Sequence, residues 1–214
     1  MKNLNFTNPL RFQARVLLNS HLSFMIVFIT GFSSIYGQEW TNSTNLPSAG
    51  RFASAAFAIG DTGYIIGGIS GNGALNDVWT FIPQSNSWTQ QANAPGSTRL
   101  NPVGFELNGF GYYGLGDASF GDSLLYKYSP STNSWQQVAI PNFTVTNWRA
   151  MFFTIENDAY FLFHTTNTFA RYNSLSDTWE QLQDFPGIAR FTGAGFTANG
   201  KGYITCMASC CWNI

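Results

Sequence analysis

One pattern returns through this chain about every 48 residues, within the roughly 40–50-residue spacing that marks blade-type repeats. Pro47, Pro95, Pro141 and Pro186 each precede an arginine: Arg51, Arg99, Arg149 and Arg190. A phenylalanine follows at Phe57, Phe105, Phe153 and Phe196, and a tyrosine at Tyr64, Tyr112, Tyr160 and Tyr203. Tryptophans mark a common phase at Trp40, Trp88, Trp135 and Trp179. A unit that recurs in this way cannot bury its apolar face alone, so neighbouring units must stack to make a core.

The first unit shows the grammar. Residues 51–59 read as a short apolar strand, 60–63 as a turn, and 64–66 as a second strand rich in β-formers. Gly67-Gly68 closes that strand and opens a loop. Residues 77–82 read as a third strand and 88–91 as a fourth. Four short strands with turn residues between them predict all-β structure, and no stretch beyond the first residues carries a 3.6-residue apolar period. The unit repeats over 99–139 and 149–183, after a first blade over 51–92, and a partial copy occupies 190–214.

Gly63-Tyr64-Ile65-Ile66-Gly67-Gly68, then Asn76-Asp77-Val78-Trp79, then Ser87-Trp88, resembles a kelch repeat. The resemblance spans residues 39–203. It weakens along the chain: Leu115 takes the first glycine position in the second copy, Phe163-His164 replaces the pair in the third, and Cys206-Met207 in the fourth. The resemblance implies a kelch-type β-propeller of the galactose-oxidase-like superfamily, with four-stranded sheets set radially about a channel. The expected content is about three complete blades and a partial fourth, a truncated propeller. The repeated aromatics are expected to fill the spaces between neighbouring sheets.

A chain that stops in mid-blade is expected to expose an unpaired edge and to associate or be unstable. Residues 205–214 break the pattern, and all three cysteines (Cys206, Cys210 and Cys211) fall there. They lack the separated pairs of a zinc site. Trp40 sits in the phase of a fourth strand, so residues 38–46 read as an outer closing strand for a last blade.

Lys2, Arg11 and Arg15 precede an apolar run over 22–32, and small residues follow at Ser33, Ser34 and Gly37. This is the layout of a secretory signal peptide over residues 1–37, with the mature domain over 38–214. The apolar run is shorter than the roughly 20 residues of a membrane span, so no stable membrane insertion is expected once the leader is cleaved. The destination is secreted, periplasmic or cell-surface. The chain has ten basic and eleven acidic residues, and the leader holds three of the basic ones and no acid. Seven basic against eleven acidic residues remain, a net charge of −4 beyond residue 37. No basic run appears, which argues against nucleic acid as a partner.

The chemistry is sparse. His164 is the sole histidine beyond the leader, and as a lone loop residue it reads as polar surface. One histidine cannot supply the copper site of a galactose-oxidase-type enzyme, and no nucleophile motif supports a triad. No cofactor and no metal are expected. The scattered aspartates, among them Asp77 and Asp117, read as turn and strand-edge residues.

The arginine series is the best lead. In a kelch propeller the first strand lines the channel, so the resemblance implies that Arg51, Arg99, Arg149 and Arg190 ring one face near the axis. There they would meet an acidic or polar ligand through paired hydrogen bonds, or instead bond carbonyls and hold the blades together. Loops over 70–76 and 117–122 are further candidates. The expected function is a non-catalytic propeller that binds a protein or carbohydrate ligand on its face. The alternative is a carbohydrate-active kelch enzyme of the sialic acid mutarotase kind.

Overall fold

A computed structural model of the chain describes residues 2–4, 40–118, 124–145, 148–164, 166–187, 193–206 and 212–213. The chain divides into two units, Met1–Asn45 and Leu46–Ile214. In the first, Lys2–Leu4 pairs antiparallel with Trp40–Asn42; the rest of the expected leader lies outside the described residues.

The second unit is built as the repeat predicts. Every described element is a strand, and every pairing is antiparallel. The first blade contains Ala55–Ile59, Thr62–Ser70, Gly73–Ile82 and Ser87–Gln91, in sequence order across the sheet. The second contains Val103–Leu107, Phe110–Gly114, Leu125–Ser129 and Ser134–Gln137. The third contains Ala150–Ile155, Asp158–Phe163, Phe169–Asn173 and Thr178–Gln181. In the second, Asn108 and Gly109 both take left-handed φ, 55° and 79°, as a two-residue hairpin turn requires.

Three details depart from the sequence reading. First, Gly67-Gly68 does not close the second strand. It lies inside Thr62–Ser70, at a register shift between Ile66 and Gly68, and the hairpin runs on to Gly73–Ile82. Both glycines are left-handed (φ 61° and 93°), and a methyl group on Gly68 would strike Phe52 O and Ser54 Oγ. Second, the first strands are broken. Arg51–Phe52 and Arg99–Leu100 are separate short strands, and Ala53 (φ 55°) and Asn101 (φ 50°) turn the chain before Ala55–Ile59 and Val103–Leu107 begin. Third, the partial fourth blade has a third strand. Trp212–Asn213 pairs with Tyr203 and Ile204, beside the expected Gly193–Ala198 and Lys201–Cys206.

Each core cluster sits at a junction between consecutive blades. Ile66 and Val78 of the first blade meet Tyr113 and Tyr128 of the second. Phe105, Tyr112 and Leu125 meet Ala159, Phe161 and Tyr172 of the third. Met151 and Phe153 meet Ile204 of the fourth. At Trp135 and Trp179 the tryptophan phase has a physical cause. Trp135 Nε1 donates to Ala92 O at 3.0 Å, and Ala92 N donates to Asn133 Oδ1 at 2.9 Å. One blade later, Trp179 Nε1 donates to Ala139 O at 2.8 Å and Ala139 N to Asp177 Oδ1 at 3.0 Å. A tyrosine hydroxyl, Tyr128 or Tyr172, donates to the same Asn133 or Asp177 oxygen at 2.8 Å. Burial pushes the Tyr128 hydroxyl up to about 12, so it keeps its proton for that bond. Trp135 with Asn133, and Trp179 with Asp177, thus grip the backbone N–H and C=O of one residue trailing from the preceding blade.

Candidate functional site

The arginine phase splits into a closed form and an open one. Arg51 grips Asp77 in a fork: Nη1 donates to Oδ1 at 2.5 Å and Nη2 to Oδ2 at 2.8 Å. Nη1 also donates to Gly67 O at 3.0 Å. Ser48 Oγ and Trp79 Nε1 complete the carboxylate's partners at 3.2 and 2.7 Å. The pair is buried, at 5% and 15% side-chain exposure. Burial alone would raise the Asp77 carboxyl. The hydrogen bonds from Arg51 and Trp79, the charge of Arg51 and the bond from Ser48 outweigh it and hold the group below the usual carboxylate range.

Arg99 is 1% exposed. Its Nη1 donates to Leu115 O at 3.0 Å and Leu124 O at 3.3 Å, and its Nε donates to Ser97 O at 3.3 Å. The guanidinium carbon also stands 5.9 Å from the Tyr113 ring centroid. Both arginines therefore reach the carbonyl of the residue at the first glycine position of the kelch pair, Gly67 or Leu115. Leu115 holds the left-handed φ of 51° that this position demands, although it is not glycine.

Arg149 behaves differently. Its Nε forms an ion pair with Asp117 Oδ2, and each side chain is 33% exposed. Asp117 reaches it from the preceding repeat, where Asp117–Ala118 pairs with Arg99–Leu100. Arg149 also lines a cavity of about 340 Å³, together with Ala53, Ser54, Asn101, Pro102, Ala150, Met151, His164 and Gly193. Ala53-Ser54, Asn101-Pro102 and Met151 stand two or three places after the arginine of their own blade, and Gly193 three places after Arg190. The cavity is thus the mouth formed where the first strands of the sheets converge. Its volume falls in the range of small-ligand sites.

His164 corrects the sequence reading. It is 6% exposed, not a surface residue, and it lines the cavity. It stands at the phase of Gly68, so the third blade carries an imidazole where the first carries no side chain. Its backbone N–H donates to Arg149 O at 3.0 Å. Burial and the Arg149 guanidinium push the imidazole below its usual pKa, with Asp117 acting in the opposite sense. Asp77 and Asp117 are likewise more than turn residues, since each holds an arginine. Arg190 lies outside the described residues, as do 119–122 of the candidate loop. The turn at the tip of the other candidate loop, between Ser70 and Gly73, closes a hairpin and does not reach the cavity.

Residues 50–95 match the family model for the kelch motif. A solved structure described as the structure of YjhT is similar to this chain, with a TM-score of 0.67 and 17% sequence identity. The superposition covers 78% of this chain and 62% of that one, so the chain spans less than two thirds of the YjhT length. No curated protein matches. The chain carries a kelch motif over its first blade. Its fold is all-β and of the kelch-type propeller class. The family model covers the first blade alone, which is the blade that keeps both glycines. In the later blades Leu115 and His164 occupy glycine phases, and both residues are buried.

Proposed function

We propose that this protein is an exported, non-catalytic module that binds a glycan or protein ligand at the Arg149 cavity. The observation that carries the reading is the contrast within one repeated position. Arg51 and Arg99 are buried against their own chain, whereas Arg149 opens to solvent at a cavity lined by Ser54, Asn101 and His164. A guanidinium beside a carboxylate offers donors and acceptors together, which suits the hydroxyl and carboxylate groups of an acidic sugar better than it suits a bare anion. The leader over residues 1–37 supports export. The net charge of −4 beyond it and the lack of a basic run argue against nucleic acid.

The test is calorimetric titration with N-acetylneuraminic acid, glucuronic acid and an acidic peptide. At least one is expected to bind, and Arg149→Ala should weaken it by about tenfold or more without moving the thermal melt. No binding by any probe, or binding that Arg149→Ala leaves intact, would overturn the reading.

His164 favours a second reading, a carbohydrate-active enzyme. A buried neutral imidazole beside a guanidinium can move a proton on a bound sugar. Under that reading the protein speeds anomer interconversion of N-acetylneuraminic acid, and His164→Gln removes the acceleration while binding persists.

A further inference from the structure

The three complete sheets differ at one set of facing positions. In each, the residue across from the repeated tyrosine lies on the third strand, and its own neighbour lies on the fourth. In the first sheet Tyr64 faces Thr80, and Thr80 faces Thr89. In the second the series is Tyr112, Lys127 and Gln136. In the third it is Tyr160, Arg171 and Glu180. Two places before the tyrosine, on the same face of its strand, stand Thr62, Phe110 and Asp158.

The first and third sheets satisfy this place from within. Thr80 Oγ1 donates to Thr89 O at 3.1 Å and accepts from Gln91 Nε2 at 3.0 Å. Arg171 pairs with both of its acids, at 3.5 Å to Asp158 Oδ2 and 2.6 Å to Glu180 Oε2. The second sheet keeps the cation and replaces both acids. Lys127 Nζ stands 3.8 Å from the centroid of the Phe110 ring, and the position of Glu180 holds a neutral amide, Gln136. Among the described residues no carboxylate forms an ion pair with Lys127. The lysine lines a cavity of about 320 Å³ with Phe110, Ser129, Thr132, Ser134 and Gln136. Thr132 Oγ1 and Ser134 Oγ bond each other at 2.7 Å, which uses one of their two protons and leaves the other to donate. This cavity shares no lining residue with the Arg149 cavity, and it belongs to a sheet packed between two complete neighbours.

We propose that the Lys127 cavity binds the sulfate ester of a sugar unit. Lys127 supplies one positive charge, held over the Phe110 ring by its attraction to the ring face, and a sulfate ester carries one negative charge. A phosphate monoester carries about 1.5 to 2 negative charges near neutral pH. That exceeds what one lysine offsets in a chain whose net charge beyond residue 37 is already −4. An ammonium is a point charge with three donors, so with hydroxyl and amide donors around it the cavity suits a tetrahedral oxyanion, whereas a planar carboxylate is better served by an arginine fork. The hydroxyls of Ser129, Thr132 and Ser134 and the Gln136 amide both donate and accept, which matches the hydroxyls of a sugar ring. The volume is that of a site for one small ligand.

Amide-resolved NMR titration of the full chain with galactose 6-sulfate tests this, because it reads the Lys127 cavity separately from the Arg149 one. The amides of Ser129, Ser134 and Gln136 are expected to shift and saturate. Lys127→Gln should weaken that binding by about tenfold or more, the loss of a charged hydrogen bond, and Lys127→Arg should retain most of it. Gln136→Glu should weaken it as much as Lys127→Gln, since it places beside Lys127 the acid that the third sheet has beside Arg171. Galactose should leave these amides unmoved, and inorganic sulfate should bind more weakly than the sugar ester. The proposal is overturned if galactose 6-sulfate does not shift these amides, or if Lys127→Gln and Gln136→Glu both bind it as the wild type does. Equal binding of galactose, equal binding of inorganic sulfate, or tighter binding of galactose 6-phosphate would each overturn it as well.

Discussion

Arg99 and Arg149 occupy the same phase of consecutive blades, and the structure gives them opposite work. Arg99 is sealed at 1% exposure and spends its donors on the carbonyls of Ser97, Leu115 and Leu124. Arg149 is a third exposed, is held by Asp117 and faces the cavity. The neighbours set the difference. In the second blade a left-handed Leu115 turns its carbonyl toward the arginine, as Gly67 does in the first. In the third blade Phe163-His164 fills the glycine phases, His164 N–H holds the Arg149 backbone carbonyl, and the guanidinium pairs with an acid from the preceding repeat. A repeated residue type thus marks a repeated place in the fold, while the local acceptors decide what the residue does there.

The largest effect that would break this comparison comes from Arg99→Ala. It leaves three carbonyls short of a buried donor, and the unfolding free energy is expected to fall by about 3 kcal/mol or more. Urea unfolding measures it, and a loss below about 1 kcal/mol would show that the sealed arginine is not a structural tie. Asp77→Ala comes next. It strands the buried Arg51 charge, for an expected loss of about 3 kcal/mol, the lower end for a broken buried pair.

The Asp77 pair also carries a pH signature. The Asp77 carboxyl is held below its ordinary range in the folded state, so its stabilisation is fully present above the unfolded value of about 4. It is lost as pH falls through the folded value. Acid titration of Asp77→Asn should show a shallower loss of stability below about pH 4 than the wild type. An identical acid limb would remove Asp77 from the account. The smallest stability effect is expected for Arg149→Ala, within about 1 kcal/mol for a partly exposed ion pair. A cost matching that of Arg99→Ala would erase the contrast between closed and open sites.

Much of the fold was legible because its determinants are local and repeated. The strand grammar, the Asn108-Gly109 turn and the aromatic phases all follow from neighbours a few residues apart, and repetition multiplied a weak signal. The strand boundaries differ from the sequence expectation where one residue breaks a local rule. Ala53 and Asn101 take left-handed φ without being glycine, and nothing nearby in the chain announces that. Gly67-Gly68 predicts a strand end because glycine pairs usually punctuate; in the structure the pair bends a strand that continues.

The site was half legible. The sequence pointed to the arginine phase but left open which arginine is structural, because Arg99 and Arg149 have like surroundings when read along the chain. Asp117 lies 32 residues before Arg149, and Ser54 lies 95 before it. Sequence distance of that kind hides a contact that sheet packing makes direct.

The sequence by itself determined the all-β repeat, its period, and the aromatic phases that stack one sheet on the next, because these depend on side-chain size and backbone preference within a single unit. Only the tertiary structure decided that Arg51 and Arg99 are consumed inside the chain and that Arg149 and His164 meet at a cavity. Those outcomes depend on which residues of one blade face the next, and that is settled by packing between segments some 40–50 residues apart, the blade-repeat spacing.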